Sequence, residues 1–209
     1  MIATAQLHDN IWMLGYDNNT DTTDRFGISV LSFTDAQLNI RQDPALKFNF
    51  SHTNSSFADS TGRLLAFTNG VHIGNSDGVI MDGGSFIGTK YSDKVGYIWQ
   101  QWTLMLPAPD NPKLLYCFYE EVEVKIDIYA TGLFYALIDL SENNGKGKVL
   151  KRREILLQDT LAIGKVTSTR HANGRDWWIF YPKLHSNIFF SALINGKTGE
   201  LIRVVTNEL

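Results

Sequence analysis

The chain has a single cysteine, Cys117, in 209 residues, so no internal disulfide can form and the fold must be held by packing and sheet hydrogen bonds. It has no excess of positive charge. A net charge of −3 with no long run of one sign provides no field for a polyphosphate backbone, and nucleic acid is excluded as an expected partner. It also lacks any apolar run near the roughly 20 residues that cross a bilayer as a helix, so no membrane-spanning segment is expected. Its five histidines, His8, His52, His72, His171 and His185, show no metal-ligand spacing, and neither cofactor nor metal is expected from them.

What is present points to strands. Aromatic residues make up 12% of the chain, and 17 glycines far outnumber 5 prolines, a mixture suited to pleated ribbons joined by tight turns. A hydrophobic content of 44% against 20% charged residues supplies a core and excludes a disordered chain. At the start, Ala3-Thr4-Ala5 before Gln6 has the small-x-small form of a signal-peptidase site, without the basic and apolar regions that precede one. Residues 1–6 read equally as a signal-peptide remnant or as a frayed terminus.

The clearest pattern lies at the C-terminal end. Residues 165–171 read as a strand, and Asn173-Gly174 as a type I′ hairpin turn with positive φ at both positions. Strands at 177–181, 188–194 and 201–205 follow, the last two joined through Asn195-Gly196. This is a four-stranded meander in roughly 40 residues, the layout of a propeller blade. Upstream, the same layout predicts strands at 102–106, 114–119, 133–140 and 149–157, with an inserted period-two strand at 122–129. Before that come strands at 56–59, 64–68, 71–73 and 79–81. The first unit offers a second, third and fourth strand at 11–16, 28–33 and 46–50, with no first. The expected fold is therefore all-β: antiparallel four-stranded meanders arranged as blades of a β-propeller. The units are 7–50, 51–98, 99–160 and 161–209, forming either a four-bladed ring or a fragment of a larger ring in a longer protein.

Four stretches carry a family resemblance: HDNIWMLGY at 8–16, DSTGRLLAFTNGV at 59–71, LFYALIDLSENNGKG at 133–147 and DTLAIGKVTSTRHANGRDWWIFYPK at 159–183. Together they resemble the N-terminal propeller-like region, built of WD40/YVTN-like repeats, of large secreted proteins of Bacteroidetes bacteria. Those proteins often end in a sorting domain for type IX secretion, which this sequence lacks. The resemblance implies an exported or cell-surface location and a non-catalytic role, with further blades or downstream domains as partners. It transfers no catalytic residue.

Candidate sites are few. Arg170, His171, Asp176 and Trp178, with Trp177 beside them, form the densest cluster of reactive types, and aromatic faces with polar groups suit a carbohydrate platform. A plain hairpin explains the same residues: Arg170 pairs with Asp176 across the turn, and the adjacent tryptophans point to opposite faces. Asp17, Asn19, Asp21 and Asp24 place oxygens at alternate positions as a calcium loop would. However, an EF-hand needs Gly where Thr22 stands and an acid where Ile28 stands, and a solvated loop explains the run equally well. Cys117 sits mid-strand in an apolar run, a place for packing rather than nucleophilic attack. Glu120 and Glu121 are neighbours on a strand and face opposite ways, which disfavours a glycosidase pair. Asp59-Ser60-Thr61-Gly62 resembles the aspartate-box turn of sialidase propellers without its aromatic ending, and reads as a turn.

Three functions remain. The first is a binding or scaffold module of an exported protein, presenting loops to a protein, peptide or glycan. The second is a hydrolase acting on polysaccharide, and the third a purely structural part of a larger ring.

Overall fold

Aromatic and β-branched runs become strands wherever a turn residue releases the chain at both ends, and the result is an all-β protein. The computed structural model describes residues 7–15, 27–34, 37–43, 46, 48–88, 97–124, 128–195 and 201–208. Sheet 1 contains β1 (Ile11–Leu14), β2 (Ser29–Thr34) and β3 (Gln37–Gln42), and sheet 2 contains β4 (Ser55–Ala58), β5 (Leu64–Thr68) and β6 (Ile73–Asn75). Sheet 3 contains β7 (Thr103–Pro107), β8 (Leu114–Val124), β9 (Ile128–Asp139) and β10 (Lys148–Leu161). Sheet 4 contains β11 (Thr167–Arg170), β12 (Trp177–Pro182), β13 (Ile188–Ile194) and β14 (Leu201–Glu208). Each sheet is an antiparallel meander in which neighbours in sequence are neighbours in space.

Successive sheets pack face to face. In β8, Leu115, Cys117 and Tyr119 join a core with Phe57, Ala66 and Ile73 of sheet 2. Their alternates Tyr116 and Phe118 join a second core with Ile179, Tyr181, Phe190 and Ala192 of sheet 4. A strand covered on both faces needs apolar residues at every position, which is why residues 114–119 read as an unbroken apolar run. The third core joins sheet 1, through Met13 and Val30, to Phe67 of sheet 2, with Leu46, Phe48 and Phe50 filling the gap between them.

The first strands of sheets 2, 3 and 4 begin together at one end of this stack. Ahead of β4, the His52 N–H donates to Tyr97 O (3.2 Å) and the Thr53 hydroxyl to Trp99 O, just before β7. Ahead of β11, Gly164 lies so close to Gln100 that a Cβ there would sit 2.3 Å from the Gln100 carbonyl oxygen. β1 runs the other way against β4, because Ala58 N–H donates to His8 O and the Ser56 hydroxyl reaches Ile11 O.

Several expectations are corrected. The segment 46–50 forms no strand over its described residues, and the third strand of sheet 1 is β3 instead. All six β3 residues are exposed, so no alternation of burial announces it. The inserted strand at 122–129 does not exist as a separate element: its halves extend β8 and β9, which pair as far as Val124 with Ile128. At 79–81 there is only an isolated bridge between Gly74 and Ile80. β10 is longer than expected and carries four register shifts; at one of them Arg153 takes a φ of 59° and donates its N–H to the Tyr119 hydroxyl at 2.8 Å.

Candidate functional site

The turn between β11 and β12 is made by Asn173. Its Oδ1 accepts the N–H groups of Arg175 and Asp176, both at 3.0 Å, and its Nδ2 donates to Asp176 Oδ2 at 2.8 Å. Gly174 holds the positive φ of 71°, and the loop closes where His171 N–H donates to Asp176 O at 2.8 Å. Asn173 has no positive φ, so this is a longer loop than the expected type I′ turn: four residues lie between the closing pair, and the Asn side chain acts as an Asx cap.

The expected Arg170–Asp176 pair is also corrected. Asp176 is buried and takes Arg175 instead, with Nε at 2.7 Å and Nη2 at 3.2 Å. Arg170 donates to Gly174 O and lies with its guanidinium 4.3 Å from the centre of the Trp177 ring. The two tryptophans part company as strand geometry requires. Trp177 packs into the joint between sheets 3 and 4 and donates its indole N–H to Pro107 O at 3.1 Å. Trp178 lies on the opposite face with Phe180, and the His171 ring stands 5.7 Å from it. Arg170, His171, Asp176 and Trp178 therefore do not converge on one site. The calcium-loop residues Asp17, Asn19, Asp21 and Asp24 lie outside the described residues, and among the described residues no group of His, Cys, Asp and Glu could hold a metal.

A cleft of about 580 Å³ does collect residues from separate sheets. Its walls are the turns that follow β4, β7 and β11: Asp59 and Ser60 from the first, residues 107–112 from the second, and Arg170, Gly174 and Arg175 from the third. His8 closes one side, stacked on Phe57 with ring centres 5.0 Å apart and its Nδ1 2.7 Å from Ala58 O. The middle wall is stiff, since Pro107, Pro109 and Pro112 fix three backbone dihedrals within it. Sequence reading identified each turn and missed their convergence, which depends on the first strands of three sheets starting level.

The cleft is mixed in charge, and most of its charges are already engaged. Arg175 Nε reaches Asp110 at 3.4 Å as well as Asp176. Burial alone would raise the Asp59 pKa, but donors from Thr61 and Arg63 outweigh it and hold the carboxyl at about 2. Asp59 is thus an ionised turn-former. Among the described residues, Arg170 is the cleft cation that has a ring and a carbonyl as partners but no carboxylate.

The most perturbed carboxyl lies elsewhere. Glu120 is fully buried between sheets 3 and 4, and desolvation pushes its pKa up to about 8 against the hydrogen bonds it accepts from Gly164 N–H at 2.9 and 3.1 Å. The Tyr181 hydroxyl approaches the same carboxyl without a well-aligned hydrogen bond. Sealed from solvent, this pair has no route to a substrate. Cys117 is likewise enclosed, and burial pushes its thiol up to about 12. No family model matches the chain, and no curated protein or solved structure is significantly similar to it.

Proposed function

We propose that the chain is a non-catalytic binding module of an exported or cell-surface protein, its four sheets serving as propeller blades and its cleft as the ligand site. Support for the blade arrangement comes from four meanders packed in sequence order, with the first strands of three of them starting at one end. The exported location rests on the resemblance to secreted Bacteroidetes proteins. A single observation carries the binding reading: three turns from three sheets meet around one cleft that offers an aromatic-backed guanidinium beside apolar and carboxylate walls. Such a surface suits a peptide or a glycan bearing a carboxylate. Binding is favoured over hydrolysis because Asp59 is committed to its own turn and Asp110 faces Arg175, which leaves neither placed as a proton donor.

A combined glycan and peptide array, followed by calorimetry on Arg170→Ala, tests this. The expected result is a carboxylate-bearing ligand whose affinity falls at least tenfold in the variant, with no turnover. Turnover abolished by Asp59→Asn or Asp110→Asn would overturn the non-catalytic reading.

A further inference from the structure

The turns that follow β4, β7 and β11 make the cleft, and the segments that lead into the same three strands surround a second hollow, of about 540 Å³. His52 comes from the segment before β4, Trp99, Gln100 and Gln101 from the one before β7, and Gly164 and Lys165 from the one before β11. Its volume lies within the roughly 300–1,000 Å³ of small-molecule sites.

Four costs to the fold are gathered here. Gln101 holds a φ of 56°, a left-handed backbone that long side chains rarely adopt. Gly164, at a φ of 65°, is pressed so near the Gln100 carbonyl that no side chain fits. Behind it the Glu120 carboxyl is buried in order to accept the Gly164 N–H. Trp102, against the other side of Gly164, is buried with an indole N–H that has no acceptor among the described residues. None of these is required by the strand pairing, which in β7 starts at Thr103 and in β11 at Thr167. Costs of this kind persist where a surface has to keep one shape, and Gln101 and Gly164 line the hollow itself.

The surface held this way is an aromatic face flanked by amides. The half-buried Trp99 ring stacks on Trp102 with centres 5.1 Å apart and planes 6° apart, and Trp102 meets Tyr97 at 4.0 Å. The Thr53 hydroxyl fixes the Trp99 backbone from the neighbouring sheet. Gln100 and Gln101 are exposed beside the ring, and among the described residues the lining holds no carboxylate. We propose that this hollow is a second binding site and takes a sugar unit of a glycan, its ring against Trp99 and its hydroxyls on the Gln100 and Gln101 amides. An indole face covers the C–H face of a sugar ring, and each amide offers a donor and an acceptor to hydroxyls that both give and take. With no pair of acids in its lining, the hollow recognises the sugar without cleaving it.

An oligosaccharide array probed with the unaltered chain and with Arg170→Ala separates this site from the cleft, since the substitution disables the cleft alone. The expected result is an oligosaccharide bound equally by both. Calorimetry with that oligosaccharide then compares Arg170→Ala with the same chain also carrying Trp99→Ala or Gln101→Gly, and affinity should fall at least tenfold in each. Gln101→Gly relieves the left-handed backbone while removing the amide, so its urea midpoint should rise as its affinity falls. That opposite movement distinguishes a lost contact from a damaged fold. No oligosaccharide held by the Arg170→Ala chain overturns the proposal, and so does full affinity in Gln101→Gly.

Discussion

At the scale of single residues, Glu120 ties the stability of the fold to pH. Its carboxyl is buried and prefers the proton, because the Gly164 N–H does not repay the loss of water around a charge. The folded-state pKa of about 8 lies above the ordinary 4.5, so the folded form binds a proton that the unfolded form releases. Stability is therefore greatest below pH 4.5 with respect to this group, and it declines as pH rises toward about 8. The slope in that window is about 1.4 kcal/mol per pH unit. Glu120→Gln keeps an acceptor for Gly164 N–H and cannot ionise. Urea unfolding at pH 5 and pH 8 should show the native protein losing stability between the two while the variant changes far less; equal losses in both would show that another group carries the dependence.

At the scale of elements, legibility tracked coverage. Sheet 4 follows the expected strands closely because its turns are written in Asn and Gly and its strands in β-branched and aromatic residues. β8 and β9 were cut short in the reading because an alternating segment at 122–129 looked like an element of its own; alternation reports a half-covered strand and cannot say which hairpin it belongs to. β3 was missed altogether, since QLNIRQ has neither a buried face nor a run of strand formers. Segment 46–50 was misread for the opposite reason: Leu46, Phe48 and Phe50 are buried, but as a filler between sheets. The cleft was illegible because its walls are up to a hundred or more residues apart in sequence. The turn before β12 supports a further test. Asn173 Oδ1 satisfies two backbone N–H groups and its amide holds Asp176, so Asn173→Ala takes the acceptor from the Arg175 and Asp176 N–H groups and removes one hydrogen bond from the buried carboxylate, which keeps Arg175. The expected cost is about 1–2 kcal/mol, read as a lower urea midpoint with an unchanged slope. A change below the error of the midpoint would show that Gly174 alone sets this turn.

At the scale of the whole molecule, the three cores decide how the stack comes apart. Sheet 3 is covered on both faces, so it cannot open toward solvent without separating from sheet 2 or from sheet 4. Cys117 lies in the first of those joints, fully buried among Leu115, Tyr119, Ala66 and Phe134, and its thiol is held protonated by that burial. A thiol reagent needs both access and the thiolate, and the folded protein offers neither. Labelling of Cys117 should therefore proceed through global opening, with a rate that follows the unfolding equilibrium as urea is raised. Among the described residues none of sheet 4 belongs to this core, so a variant that loosens sheet 4, such as Asn173→Ala, separates two cases. If the stack unfolds as one unit, the labelling rate rises by the factor that the loss of stability dictates, about five- to thirtyfold for 1–2 kcal/mol. If sheet 4 can leave alone, the far-ultraviolet signal changes first and Cys117 stays protected, and the stack then behaves as a chain of separable sheets rather than one cooperative body.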